Sequence, residues 1–171
     1  MRLHIGGKEP REGWKILNVN AGPGVDFVGD CVDLGRFESG SVQQIYASHV
    51  LEHLGYAREL PDALKEWYRV LVPGGKAMIS VPDFEVMCRL FIESARDEGE
   101  RFHIMRMTFG GQAYERDFHR VGLTYEFLVL YLEGVGFARI ERVDDLALFD
   151  DTSRLKYLDT PISVNVVAWK D

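Results

Sequence analysis

Two histidines and a glutamate lie close together in the stretch 46–54, which reads YASHVLEHL. His49 and His53 are four residues apart, a spacing that places two side chains on one face of a helix, as in many zinc sites. With Glu52 they match the His-x-x-Glu-His string of some metalloproteases. Such a site needs a third ligand and a long helix, whereas the apolar pattern predicts a strand that ends near Ser48. We therefore expect no metal site here, and a zinc hydrolase is the least favoured function.

Two further candidate contact points follow short apolar runs. Gly6-Gly7 comes directly after Leu3–Ile5, and a ligand can approach glycine backbone closely because there is no Cβ. Asp30 follows the run Val25–Val28, and its carboxylate can accept a hydrogen bond from an exocyclic amine such as that of adenine. A plain turn at the glycines and a turn cap at Asp30 remain open alternatives.

The elements that would position these residues alternate between strand and helix. Apolar runs bounded by glycine predict strands at Leu3–Ile5, Lys15–Val19, Val25–Val28, within Ser41–Ser48, and at Lys76–Val81, Phe137–Val143 and Ile162–Trp169. Helical spacing predicts one helix that ends before Pro73, one that begins at Pro82-Asp83, and one that Thr124 caps. This order predicts a three-layer α/β/α sandwich with a mostly parallel sheet and an antiparallel C-terminal edge pair.

The segment between the first two strands sets a limit on the ligand. Residues Lys8–Trp14 are too few for a full phosphate-binding helix, so we expect a shortened first helix and no dinucleotide. In an open α/β sheet, ligands bind outside the carboxyl ends of the strands. The candidate walls of the site are therefore Gly6-Gly7, Asn20-Ala21, Asp30-Cys31 and Ser48-His49.

Composition narrows the class of protein. A chain of 171 residues with 46 % hydrophobic and 27 % charged residues is typical of one folded domain, here 1–171. The net charge of −7 argues against general nucleic-acid binding, and no apolar run approaches the ~20 residues of a membrane span. Cys31 and Cys88 match no metal or redox spacing, and the N-terminus shows no signal peptide, so we expect a cytoplasmic protein. The oligomeric state is not predicted.

Five segments occur in a recognisable order. They are the strand with Gly6-Gly7, VGD at 28–30, IYASHVLEH at 45–53, WYRVLVPGGK at 67–76 and SVPD at 80–83. In order and spacing they resemble class I S-adenosylmethionine-dependent methyltransferases, and most closely the small predicted methyltransferases of the type-11 kind. The resemblance covers Arg2 to about Asp83, and RVLVPGG after LEH is its most specific part.

The resemblance implies a Rossmann-like fold and S-adenosylmethionine as the cofactor. It implies that the cofactor is bound by Gly6, Gly7, Asn20, Asp30, Cys31, Ser48 and His49. The family commonly has a G-x-G-x-G loop and an acidic residue after the second strand, which holds the ribose hydroxyls. Here the loop reads Gly6-Gly7-Lys8 and Asn20 stands at the acidic position. Asp26 or Asp33 could supply the missing carboxylate.

The segment 101–124 is where the family usually covers its acceptor site, so the resemblance makes it a candidate lid. Within it, His119 is a candidate general base, since an imidazole titrates near neutrality. His49, on the rim of the fourth strand, is the second catalytic candidate. Ordinary structural roles for His103 and His119 remain open.

The expected function is methyl transfer to an unidentified small-molecule or glycan acceptor. The alternative is a protein of the same fold that binds a ligand or partner without transferring methyl groups. Gly7, Lys8 and Asn20 motivate that alternative, because they depart from the family's cofactor loop and carboxylate.

Overall fold

The computed structural model describes residues 1–93 and 95–171. Its strands are β1 (Arg2–Ile5), β2 (Lys15–Asn18), β3 (Phe27–Val28), β4 (Val42–Ser48), β5 (Leu71–Pro82), β6 (Arg139–Val143), β7 (Lys156–Tyr157), β8 (Thr160–Pro161) and β9 (Ser163–Trp169). Its α-helices are α1 (Glu59–Val70), α2 (Phe84–Ile92), α3 (Glu98–Phe109) and α4 (Tyr125–Val135). Seven strands form one sheet in the order β3-β2-β1-β4-β5-β9-β6, and β7 pairs with β8 separately.

The strand directions agree with the sequence-based expectation. β1 to β5 are parallel, β9 is antiparallel to β5, and β6 pairs antiparallel with β9 at the edge. The mostly parallel sheet with an antiparallel C-terminal pair is therefore confirmed. Because β1 to β4 are parallel, their carboxyl ends meet at one edge of the sheet, which is where a ligand site is expected.

One face of the sheet carries the main apolar core. Alternate strand residues, such as Ile45 and Ala47 of β4, point to this face and pack with α1 and α4. α1 contributes Leu60, Leu64 and Trp67, whose spacing of three and four residues places them on one side of the helix. This face fixes the register of the strands, because a slip of one residue would expose all its apolar side chains.

The opposite face is covered differently from the expectation. Residues 6–14, all described, contain turns and no helix, so the first helix is absent rather than shortened. Trp14, Tyr46 and Met78 instead form a second buried cluster against apolar side chains of the loop 146–149. A loop near the C-terminus therefore does the packing that a helix after β1 would have done.

Two elements were not predicted from the sequence, the helix α3 and the β7–β8 hairpin. Ile104 is the one buried residue of α3, so the helix shows no apolar stripe. Its start does carry a signal, because Asp97 and Glu100 form a capping box in which each side chain bonds the other's backbone N–H. Among the described residues, no helix combines the length and apolar character needed to cross a membrane.

The indole of Trp67 provides a test of the main core. Trp67 is fully buried, and its Nε1–H donates to the carbonyl oxygen of Cys31 at 3.0 Å. We expect Trp67→Phe to lower the free energy of unfolding by about 1–3 kcal/mol, because the buried carbonyl loses its donor. Urea unfolding followed by circular dichroism measures the change. The control is Trp169→Phe, at a half-buried indole, and an equal loss in both variants would contradict the assigned role of the Trp67 bond.

Candidate functional site

A cleft of about 650 Å³ opens at the carboxyl ends of β1 to β4. Its volume lies within the range of small-molecule sites, about 300–1,000 Å³. All the residues predicted to contact a cofactor lie on its wall: Gly6, Gly7, Asn20, Asp30, Cys31, Ser48 and His49. The sheet topology thus brings together segments that are far apart in the sequence. Their role as ligands of a cofactor stays a prediction.

The turn after β1 is held in place by a residue that the sequence analysis missed. Asn18, at the end of β2, is buried and donates from its amide to the carbonyls of Gly6 and Gly7 at 3.2 and 3.0 Å. Gly6 has a φ of +78°, and a Cβ there would lie 2.7 Å from a methyl carbon of Val50. The turn therefore requires glycine for its own geometry, in addition to any contact with a ligand.

The end of β2 presents an uncharged residue to the cleft. Asn20 is exposed on the wall, and its backbone N–H donates to the side-chain oxygen of Asn18 at 2.9 Å. Neither Asp26 nor Asp33 supplies the missing carboxylate here, because neither lines the cleft. Asp26 instead accepts from Lys15 and from the backbone of β2, and Asp33 accepts from the backbone N–H of Gly35.

Asp30 and Cys31 form the wall beyond β3. The Asp30 carboxylate accepts from the backbone N–H of Val32 at 3.2 Å and from Arg116 at 3.0 Å. Partial burial pushes the pKa of Asp30 upward, but the hydrogen bonds from Arg116 and Val32 outweigh it and hold the pKa below its usual value. Burial raises the pKa of the Cys31 thiol to about 12, so this cysteine stays protonated.

The segment predicted as a lid contains a helix and a loop. Its first half belongs to α3, and the loop that follows places Tyr114, Glu115 and Arg116 on the cleft wall. Asp117 shapes this loop, since its carboxylate accepts from the backbone N–H of Ala113 at 3.0 Å. The loop is joined to the opposite wall through the ion pair between Arg116 and Asp30.

A second segment of the wall, residues 149–152, was not predicted from the sequence. Asp151 anchors it: its carboxylate accepts from the Tyr46 hydroxyl at 2.7 Å, the Ser48 hydroxyl at 3.2 Å and the Ser153 N–H at 2.9 Å. Burial is the main cause that raises the pKa of Tyr46 well above its usual value, and the Asp151 carboxylate raises it further. The phenol therefore remains a hydrogen-bond donor. A signal was present, because polar side chains at 46 and 48 on a buried strand need partners.

His49 lies on the cleft wall directly after β4. It adopts a left-handed backbone conformation with φ of 54°, and its Nε2 lies 3.0 Å from the Ser163 hydroxyl. Burial lowers its pKa to about 4, with smaller contributions from neighbouring histidines, so the imidazole is neutral near pH 7. The helix that a metalloprotease-type motif needs does not form, since 51–53 is a single 3-10 turn.

Glu52, His53 and His119 come together at this wall. The His53 and His119 rings lie 4.9 Å apart and nearly perpendicular, and one ligand atom from each of the three residues lies within 4.8 Å of the others. His53 lines the cleft, whereas His119 does not and lies behind it. Glu52 is fully buried, and burial raises its pKa to about 8. His119 was predicted to be a general base; it contacts the His53 ring and does not line the cleft, and its role in catalysis stays a prediction.

Comparisons with known proteins bear on this arrangement. Residues 10–79 match the family described as "Methyltransferase domain". No curated protein matches the chain. The family match begins after Gly6-Gly7 and includes β2, β3, β4, the turn that follows β4, α1 and most of β5.

Solved structures share the fold at low sequence identity. A SAM-dependent methyltransferase from Archaeoglobus fulgidus matches with a TM-score of 0.61 and 16 % identity, over 98 % of this chain and 85 % of that one. A SAM-dependent methyltransferase from Thermotoga maritima, a possible histamine N-methyltransferase, matches with a TM-score of 0.58 and 18 % identity. The match covers 99 % of this chain and 81 % of that one. A possible exported protein from Bordetella parapertussis matches with a TM-score of 0.59 and 12 % identity. The match covers 98 % of this chain but 61 % of that longer one. The Rossmann-like methyltransferase fold is thus confirmed.

Asp151 is expected to stabilise both the fold and the cleft wall. Asp151→Ala removes the acceptor of three hydrogen bonds, two from side chains of β4. We expect a loss of about 1–3 kcal/mol or more in the free energy of unfolding, the range for hydrogen bonds to a charged group. Chemical unfolding measures it, with the exposed neighbour Asp150→Ala as the matched control. Equal stability of the two variants would contradict the anchoring role.

Glu52 is expected to make stability depend on pH. Because burial raises its pKa from 4.5 to about 8, the folded state keeps a proton between these values that the unfolded state has lost. Its contribution to the free energy of unfolding therefore falls as pH rises through this interval, by up to about 1.4 kcal/mol per pH unit. Glu52→Gln should remove this fall.

Urea unfolding in metal-free buffer at pH 5, 6.5 and 8 tests the expectation. As pH rises, the free energy of unfolding of the wild type should fall relative to that of Glu52→Gln. Glu12→Gln, at an exposed glutamate, is the matched control. Parallel pH profiles for the wild type and Glu52→Gln would show that the carboxyl does not titrate in this interval.

Proposed function

We propose that this chain is a class I S-adenosylmethionine-dependent methyltransferase that binds its cofactor in the cleft at the carboxyl ends of β1 to β4 and methylates a small molecule or the end of a glycan. The observation that carries the proposal is the convergence of residues after four parallel strands on one cavity. The cofactor supplies a methyl group already activated on a sulfonium sulfur, so the chain mainly has to align it with a nucleophile.

The cleft wall fits the parts of such a cofactor. The Asp30 carboxylate and the backbone beside it can accept from and donate to an adenine edge, and Asn20 can bond ribose hydroxyls as a neutral partner. Tyr114 and Phe149 add aromatic faces to the same cavity, which can contact a cationic group. Asp30 is the one carboxylate of the predicted cofactor wall, so we expect it to contribute most to adenine binding.

The acceptor side of the cleft is proposed to be the rim with His49 and His53. A neutral His49 imidazole can take a proton from a hydroxyl or an amine during transfer. His119 is proposed to act through His53, because it contacts the His53 ring and does not line the cleft. The volume of the cleft favours a small acceptor or one terminal unit of a larger one. The possible histamine methyltransferase among the structural neighbours makes small amines reasonable members of a test panel.

A reducing cytoplasmic setting is part of this proposal. It is supported by Cys31 and Cys88, which are both free thiols, one buried and one exposed. The net charge of −7 further supports an acceptor that is not a nucleic acid.

A second candidate function is binding of the cofactor or a related nucleoside without methyl transfer. Two observations favour it: Asn20 replaces the usual carboxylate, and residues 6–14 form no helix. The two functions are separated by calorimetric titration with S-adenosylhomocysteine, followed by transfer of a labelled methyl group to panels of small amines, phenols and glycans. Binding without transfer to any panel favours the second candidate. No heat at millimolar ligand with folded protein would exclude both.

The cofactor wall is tested by Asp30→Ala. We expect its dissociation constant for S-adenosylhomocysteine to rise by a factor that corresponds to about 1–3 kcal/mol, because an acceptor of the adenine amine is lost. Isothermal titration calorimetry measures this. Asp33→Ala, at an exposed carboxylate that does not line the cleft, is the matched control.

Arg116→Ala distinguishes direct contact from loss of the lid. Since Arg116 bonds Asp30 across the cleft, either substitution breaks that ion pair. We expect Arg116→Ala to change the affinity less than Asp30→Ala. Equal effects of the two substitutions would mean that the Asp30 carboxylate acts by closing the lid. An unchanged dissociation constant in folded Asp30→Ala would mean that Asp30 only caps its turn.

A further inference from the structure

Glu52 is a buried carboxyl group without a partner. It is 1 % exposed, and neither of its carboxyl oxygens has a hydrogen-bond partner within the described residues 1–93 and 95–171. His49 Nδ1 comes within 3.4 Å of one oxygen, without hydrogen-bond geometry. Burial of a polar group without a partner is costly, so such a group needs an explanation in a native structure.

Two histidines from different parts of the chain stand beside this carboxyl group. His53 belongs to the same turn as Glu52, and His119 arrives from the loop after α3. One ring nitrogen of each lies within 4.8 Å of the other and of a carboxyl oxygen of Glu52. This is the one group of three potential metal-ligating side chains within the described part of the chain.

A backbone carbonyl lies beside the Nδ1 atom of each ring. Nδ1 of His53 lies 3.1 Å from the carbonyl oxygen of Phe118, and Nδ1 of His119 lies 3.3 Å from that of Thr108. A ring nitrogen that donates to a carbonyl carries the proton, which leaves the lone pair on Nε2. Metal-binding histidines usually show this arrangement, in which a backbone carbonyl fixes the tautomer and the ring.

We propose that Glu52, His53 and His119 bind a divalent transition-metal ion at the margin of the cleft. Two imidazoles and one carboxylate suit ions such as Zn²⁺, Co²⁺ or Mn²⁺, whereas Mg²⁺ and Ca²⁺ prefer oxygen ligands alone. Bonds of about 2.0–2.1 Å require the three ligand atoms to approach one another from their present separations of up to 4.8 Å. Rotation of the side chains can provide this, since the two rings lie on a turn and a loop.

Three protein ligands leave at least one coordination position open. His53 lines the cleft, so a water molecule or an oxygen of a bound molecule could reach that position from the cavity. His49, whose Nδ1 lies 3.4 Å from a carboxyl oxygen of Glu52, is a further side chain that could complete the set. This site does not depend on methyl transfer, and its test uses metal ions alone.

The first experiment titrates the metal-free full chain with Zn²⁺, Co²⁺, Mn²⁺ and Mg²⁺ by calorimetry. We expect one equivalent of Zn²⁺ or Co²⁺ to bind at micromolar concentration, with Mg²⁺ at least 10²-fold weaker. Bound Co²⁺ should also give visible absorption of an ordered site. No stoichiometric binding of any of these ions, or stronger binding of Mg²⁺ than of Zn²⁺, would overturn the proposal.

The second experiment identifies the ligands. Glu52→Gln and His119→Gln should each weaken Zn²⁺ binding by at least 10-fold and reduce the rise in melting temperature that Zn²⁺ causes. The matched control is His103→Gln on α3, whose imidazole stacks on Tyr157 away from the cluster. The proposed site is wrong if Glu52→Gln binds Zn²⁺ like the wild type, or if His103→Gln loses as much affinity as the variants of the proposed ligands. Should His119→Gln fold poorly, Glu52→Gln and the Co²⁺ spectrum of the wild type decide.

Discussion

The cleft depends on one carboxylate, Asp151, which joins a loop near the C-terminus to the end of β4. Hydrogen bonds from Tyr46 and Ser48 hold this carboxylate, and the loop before it packs over the second face of the sheet. Residues 6–14 form no helix, so the loop covers the face and builds part of the cavity wall as well.

The lid is attached more weakly than the walls. Its ion pairs, Arg116 with Asp30 and Arg120 with Glu59, are partly exposed, and such pairs contribute about 0–1 kcal/mol each. By contrast, the turn after β1 is fixed by the buried amide of Asn18. The site therefore combines a turn fixed by a buried amide with a loop whose side-chain links across the cleft contribute little to stability.

The cluster around Glu52 connects the fold to the chemistry of the cleft. The backbone carbonyl of Glu52 accepts from the N–H of Arg120, so the turn after β4 and the lid are tied by backbone as well as by side chains. Burial lowers the pKa of His53 and of His119 below the usual value of a histidine.

The sequence by itself determined the order of the seven strands of the main sheet and of the helices α1, α2 and α4, the parallel sheet and the edge at which the cleft lies. It could do so because apolar alternation, glycines and caps act over a few residues, as at Gly6-Gly7 and Thr124. Only the tertiary structure decided the contacts that complete the site. Asp151 lies 105 residues from Tyr46, and Arg116 lies 86 from Asp30. No local pattern selects such partners, because each pairing follows from how the whole chain packs.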